Sequence, residues 1–444
     1  MNNKIIIDLK GAATAKRYSD DEIFQKNKFE EIKHIFDVIT DEIKGKNCEN
    51  IVECRNHDTI FVDGERGSGK TAFLLNIKNY IGNKDKGLSR KLKFFKPVDP
   101  TLLEDSENFI SIIIARILEE VNEYYKNCLN TNIQKDTQER YFKSLNYLSD
   151  SIASIKDIKE DKGIDEIASY ASSMKLEENA HQFFRIVAEI FEVEKLIVLI
   201  DDVDMAFDKG FEVLEVVRKY LASPYVIPIV AGDYGLYEDI VKNHFKKQFV
   251  SCNDRDISCN DRDAKKLEDK INNLTEQYFL KVFPIEFRIK LKDIGNIIKN
   301  SDVKVKVEND EIDFNELIEF DRNSLNIGIN RKEEQFCVIR YNTRELTKYL
   351  YRKKDIFKEF KKELQEKKIP DINLLKKSYE KTAEFYEYST DDEKVFFSKL
   401  LYNDIDSFKN EKYDVYEAFK GIENFKENGD FKFKNPIFNS LRIS

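Results

Sequence analysis

Thr59-Ile60-Phe61-Val62-Asp63-Gly64-Glu65-Arg66-Gly67-Ser68-Gly69-Lys70-Thr71 decides the fold. It reads as a short apolar strand, a glycine-rich turn and the start of a helix. Gly64 and Gly69-Lys70-Thr71 fit the spacing G-x-x-x-x-G-K-[ST]. A polyphosphate needs many donors at close range, and glycines let the backbone turn its N–H groups inward. The helix that follows, from about Lys70 to Tyr80, directs its positive dipole end at the same place. The candidate phosphate-binding residues are therefore Gly64, Glu65, Arg66, Gly67, Ser68, Gly69, Lys70, Thr71 and Ala72. Lys70 is expected to reach the terminal phosphates and the Thr71 hydroxyl to ligate Mg²⁺.

A second stretch supports the first. Leu196-Ile197-Val198-Leu199-Ile200-Asp201-Asp202-Val203-Asp204 is an apolar run ending in acids. Five apolar residues in a row match a central parallel strand covered on both faces. Carboxylates at its C-terminal end lie where ligands bind in open α/β sheets. Asp201 is the candidate metal residue beside Thr71, and Asp202 stands where a group would polarise an attacking water. Tyr225–Ala231 is a further apolar strand ending in Gly232-Asp233. Asp233 is either a sensor of the terminal phosphate or a turn aspartate capping the next helix.

Composition sets outer limits. The chain has 444 residues, 74 Lys+Arg and 83 Asp+Glu, for a net charge of −9. That balance does not suit a general nucleic-acid coat, which needs a basic face, although a local basic patch stays open. With 15 Gly and 7 Pro, long uninterrupted helices are expected, and 33 Phe with 21 Tyr supply bulk for the core. None of the six cysteines forms a C-x-x-C pair, which argues against a structural zinc site. The start Met1-Asn2-Asn3-Lys4 is charged too soon for a secretory leader, and no apolar run approaches a membrane span. A cytoplasmic chain with reduced thiols and no membrane association is expected.

Along the chain, Lys4–Leu9 is a strand or an ordered arm, and Ser19-Asp20-Asp21-Glu22 resembles a capping box. Phe29, Ile32, Phe36, Ile39 and Ile43 recur at helical steps. Gly82–Arg90 reads as a polar connector, Leu92–Lys96 as a strand and Phe109–Tyr125 as a buried helix. Residues 129–178 read as a helical insertion that includes Tyr141–Ile155, and further helices are expected beyond it at Ala180–Phe191, Phe211–Leu221 and Leu267–Leu280. Residues 251–264 repeat Ser-Cys-Asn-Asp-Arg-Asp, which fits a duplicated surface loop. Lys281–Leu291 alternates apolar and polar positions and reads as the last core strand. Residues 292–335 are polar and unassigned. Tyr341-Asn342-Thr343-Arg344-Glu345-Leu346 opens a helix running toward Phe360, and helical spacing of Tyr and Phe continues beyond it.

The expected fold class is α/β: a P-loop three-layer αβα core with a mostly parallel sheet, then a helical lid and a helical C-terminal domain. The expected divisions are 1–57 for an N-terminal arm and helix, 58–291 for the core, and 292–444 for lid and C-terminal domain. On Gly64–Thr71, Leu196–Asp204, Val226–Asp233 and Phe279–Leu291 with Asn342–Leu346, roughly residues 58–360 resemble the additional-strand P-loop ATPases of the AAA+ and STAND type. The KAP-like and origin-recognition-like branches look closest. The resemblance implies ATP and Mg²⁺ as cofactors and slow or fast ATP hydrolysis. It also implies a homo-oligomer that assembles or remodels a partner, with a protein effector among its partners, and for some relatives antiphage defence or DNA loading. In such families a basic residue before the last strand reaches a neighbouring subunit's nucleotide; Lys281 takes that place, a lysine where an arginine is usual, with Arg288 as a second candidate. An arginine opening a lid helix senses the terminal phosphate, and Arg344 matches it.

Overall fold

The computed structural model describes residues 3–9, 25–41, 55–102, 108–127, 135–157, 164–201, 203, 209–252, 261–292, 297–298, 301–308, 310–324, 343–366, 373–374, 377–378 and 381. The chain divides into two compact units. One comprises residues 26–66 and 70–291; the other comprises residues 1–25 and 292–444, with Gly67–Gly69 grouped with it.

The larger unit is built on five strands: β2 (Ile60–Asp63), β3 (Leu92–Phe94), β4 (Lys195–Ile200), β5 (Val226–Gly232) and β6 (Arg288–Lys290). They form one sheet in the order β3-β4-β5-β2-β6, every pairing parallel. Every residue of β4 and β5 is buried, so these strands read as unbroken apolar runs and not as alternations. The two faces still separate by period two. Leu196, Val198 and Ile200 join the core cluster shared with the helices described next, whereas Ile197 and Leu199 are buried outside it.

That cluster is completed by α4 (Phe109–Asn127), α5 (Lys135–Asp157), α6 (Ile164–Phe191), α7 (Gly210–Tyr220), α8 (Tyr234–Cys252) and α9 (Asp261–Val282). Away from it pack α1 (Lys26–Asp41), α2 (Lys70–Lys84) and α3 (Lys86–Lys91). The Phe29 ring lies 4.3 Å from Phe73, and Phe36 meets Phe94 edge-on at 5.9 Å. Of the stripe read at helical spacing, Phe29, Ile32, Phe36 and Ile39 are buried, and Ile43 lies outside the described residues. The α/β P-loop core expected from the sequence is thus present, with helices around a parallel sheet.

Three local readings are corrected. The supposed connector 82–90 contains α3, which the Asp85 carboxylate caps by accepting the Leu88 N–H at 2.9 Å. The segment Lys281–Leu291 is a strand only over its last few residues: α9 runs on to Val282, Pro284 ends it, and a 3₁₀ turn spans Ile285–Phe287. Ala180–Phe191 is the end of α6, which is 28 residues long. The cap at Ser19–Glu22 and residues 253–260 of the repeat lie outside the described residues.

The smaller unit holds a second sheet, where the sequence left 292–335 unassigned and read helices beyond it. β1 (Asn3–Asp8) pairs parallel with β7 (Ser301–Val307), and β8 (Asp310–Asp313) runs antiparallel on the other side of β7. One face is apolar: Ile5, Ile7, Val303, Val305 and Val307 pack against Phe314, Leu317, Leu350 and Phe357. The last two belong to helices Thr343–Arg352 and Lys354–Gln365, so the single helix expected to open at Tyr341–Leu346 and run toward Phe360 is two over the described residues. A buried polar knot fixes this unit. Lys353 and the Ser378 hydroxyl both donate to Asp321 Oδ1, Lys353 donates to Ser378 Oγ at 2.7 Å, and Tyr349 OH donates to Asp321 Oδ2 at 2.5 Å.

Candidate nucleotide-binding site

Because β2, β4 and β5 are parallel, their C-terminal ends share one edge of the sheet, and the residues of interest collect there. The turn after β2 requires its glycines in different ways. Gly67 and Gly69 have φ of 81° and 95°, in the left-handed region. At Gly69 no atom lies within 4 Å of where a Cβ would stand, so the backbone angle and not crowding calls for glycine. The Gly64 N–H donates to Gly232 O at 3.1 Å, lacing the start of the turn to the end of β5.

Lys70 opens α2 and is 7% exposed. Its ammonium donates to Gly64 O at 2.7 Å and to Glu65 O at 3.3 Å, so the lysine folds back over its own loop. Glu65 and Arg66 are exposed; Thr71 and Ala72 are half-buried in the first turn of α2, which carries no acidic side chain. The Ser68 hydroxyl is buried and has no hydrogen-bond partner. An orphan buried donor in a glycine turn at a helix N-terminus is what an anionic ligand would satisfy.

Asp201 follows β4 and is 5% exposed; its N–H donates to Val98 O at 3.0 Å, which pins the strand end. Strand β5 lies between β4 and β2, so the acid and the turn are two strand spacings apart, about 10 Å. Among the described residues no group of three or more His, Cys, Asp or Glu gathers to hold a metal. Among the described residues, the Asp201 carboxylate and the Thr71 hydroxyl are the oxygens the sequence assigned to Mg²⁺, and a carboxylate, a hydroxyl and ligand oxygens are donor types that suit this cation.

Other predicted residues fall as follows. Asp233 Oδ1 accepts the N–H groups of Gly235 at 2.9 Å and Leu236 at 3.3 Å, so of its two readings the structure shows the helix cap. Lys281 sits in the last turn of α9, which leads into the N-terminal end of β6, the edge away from the turn. Its charge is felt at His57, just before β2: burial, then Arg55 and Arg218, hold that imidazole below its usual range, and Lys281 adds to the push. Arg288 donates to Phe283 O at 2.9 Å and Phe279 O at 3.4 Å, closing the C-terminus of α9, and lies over the Tyr234 ring. Asp202 lies outside the described residues, as does the side chain of Arg344, which belongs to helix Thr343–Arg352 of the smaller unit.

Two residues at the sheet edge escaped sequence reasoning. Asp63, the last residue of β2, accepts the Tyr234 N–H at 3.1 Å, and Lys290, the last of β6, lies 3.9 Å from it. The only signal was a carboxylate ending an otherwise apolar strand.

A parallel sheet with an intervening strand, a Gly64–Thr71 turn at the C-terminal end of one strand and a buried acid at the end of another define a P-loop NTPase core. Residues 35–259, just over half the chain, match the KAP family P-loop domain, and the chain belongs to that family. No curated protein matches the chain.

Proposed function

We propose that the chain is a Mg²⁺-dependent ATPase whose nucleotide cycle drives assembly of its own oligomer or remodelling of a protein partner. The observation that carries this reading is the convergence of Lys70, the orphan Ser68 hydroxyl and buried Asp201 at one edge of a parallel sheet. Lys70 and the amides of Glu65–Thr71 hold the phosphates, Thr71 and Asp201 hold Mg²⁺, and Asp202 orients water. Arg344, and Lys281 from a neighbouring copy, add positive charge. Positioning and such electrostatics are most of what phosphoryl transfer asks of a protein. β5 between β4 and β2 agrees with the additional-strand class; the AAA+ and STAND assignment, oligomer formation and a role in antiphage defence are proposed on the sequence resemblance to that class. Among the described residues no helix is long and apolar enough to cross a membrane, which accords with a cytoplasmic site of action.

ATP turnover by the wild type and Lys70→Ala tests the reading; equal turnover sinks it. A second reading, ATP held as a latch with little hydrolysis, is favoured by Asp202 standing where strongly hydrolytic relatives carry glutamate. Intact ATP copurifying with the chain, and an assembly mass unchanged in Asp202→Asn, would select it.

A further inference from the structure

The N-terminal turn of α8 is capped from two places. Asp233, immediately before the helix, uses Oδ1 for Gly235 and Leu236, and its carbonyl accepts the Tyr237 N–H at 3.1 Å. The first N–H of the helix, that of Tyr234, goes instead to Asp63 Oδ1, 171 residues away in sequence. A local cap would serve the stability of α8 alone. This one comes from the residue that immediately precedes the glycine turn.

Asp63 is also held from its other side. Its carbonyl accepts the Leu291 N–H at 2.8 Å, and Oδ2 lies 3.9 Å from the Lys290 ammonium. The next residue, Gly64, donates its N–H to Gly232 O and accepts from Lys70 at 2.7 Å. Gly232 packs directly against the Tyr237 ring, where an added Cβ would stand 2.0 Å from Cε2. The ends of β2, β5 and β6 are therefore laced at Asp63-Gly64, and the lacing includes both Lys70 and the residue that follows Asp233.

We propose that Asp63 is a positioning residue of the nucleotide site, one that fixes the α8 N-terminus, and with it Asp233, against the phosphate loop through the Tyr234 N–H. The inference rests on the nucleotide-binding reading above. When Lys70 leaves Gly64 O for a phosphate, the shift at Gly64 is passed through Asp63 to Tyr234, so the strand end carrying Asp233 registers whether the terminal phosphate is present.

The test is the ratio of ATP to ADP affinity, measured by equilibrium titration with Mg²⁺ on the full chain; it needs no turnover. Asp63→Ala is expected to change the ratio about tenfold while ADP affinity stays within about threefold, the scale of one lost hydrogen bond. Asp63→Asn, which keeps an acceptor for the Tyr234 N–H, is expected to restore it. A wild-type ratio in both variants overturns the proposal, and so does an equal weakening of ATP and ADP by Asp63→Ala. Should Asp63→Ala fail to fold, hydrogen exchange at the Tyr234 amide of the wild type decides: different rates in the ATP and ADP complexes support the proposal, and identical rates overturn it. A wild type that binds neither nucleotide fails earlier, and shows that the binding reading itself is at fault.

Discussion

Two buried lysines stand at opposite edges of the five-stranded sheet. Lys195 opens β4, is fully buried and lies 3.1 Å from Asp58, whose carboxylate also accepts from Asn56. Lys70 follows β2 at the other edge and donates to neutral carbonyls of a glycine turn. A buried cation facing a fixed carboxylate is a structural joint, because removing either partner strands the other charge. A cation resting on backbone carbonyls can exchange them for a stronger anionic acceptor. On the proposed function, the same residue type is a joint at one edge and a phosphate-binding group at the other.

Stability measurements should separate them most widely. Lys195→Ala leaves Asp58 buried beside an absent partner and is expected to cost about 3–5 kcal/mol in denaturant unfolding. Lys70→Ala, which removes the hydrogen bonds to Gly64 O and Glu65 O, should cost less, about 1–2 kcal/mol. Equal losses would erase the distinction. The order reverses for chemistry: Lys70→Ala is expected to lower ATP turnover about 100-fold or more, near 3 kcal/mol of transition-state stabilisation, by phosphate release.

Next in size is Gly232→Ala. The new methyl meets Tyr237 at the strand end that laces the loop edge, and overpacking of this kind costs about 1–3 kcal/mol. A melting temperature unchanged by the substitution would mean that this edge yields more than its packing implies.

The smallest effect is a pH dependence on α7. Burial alone would raise the Glu215 carboxyl, but hydrogen bonds from Arg218 and Lys219 outweigh it and hold it at about 2. A depressed carboxylate adds stability above its unfolded value, near 4.5, and that stability is lost as pH falls toward 2. Arg218→Ala should flatten this part of the acid-unfolding curve; a curve identical to the wild type would remove Glu215 from the account.

The sequence showed most where burial was continuous and chemistry local. Strands β4 and β5 announce themselves as apolar runs ending in Asp201 and in Gly232-Asp233, and the turn after β2 is a contiguous motif. Where the structure depends on distant pairings, the signal faded. Val303, Val305 and Val307 alternate with charges, a half-buried strand pattern that means little until β1, nearly 300 residues earlier, supplies its neighbour. The partner of Lys195 and the role of Asp63 were hidden for the same reason. At α9 the error was one of termination: apolar residues on either side of Pro284 suit a strand by period, but Phe279, Val282 and Phe283 already serve the helix core.

The pairing of β1 with β7 also bears on how the chain is made. Asn3 lies opposite Ser301, so the first strand leaves the ribosome long before its partner exists, by about 15–60 s at synthesis rates of roughly 5–20 residues per second. During that interval Ile5, Ile7 and Leu9 have no sheet to join, while the whole unit carrying the nucleotide site has emerged and can fold. The residues of the nucleotide-site unit are therefore all synthesised before β1 can pair with β7.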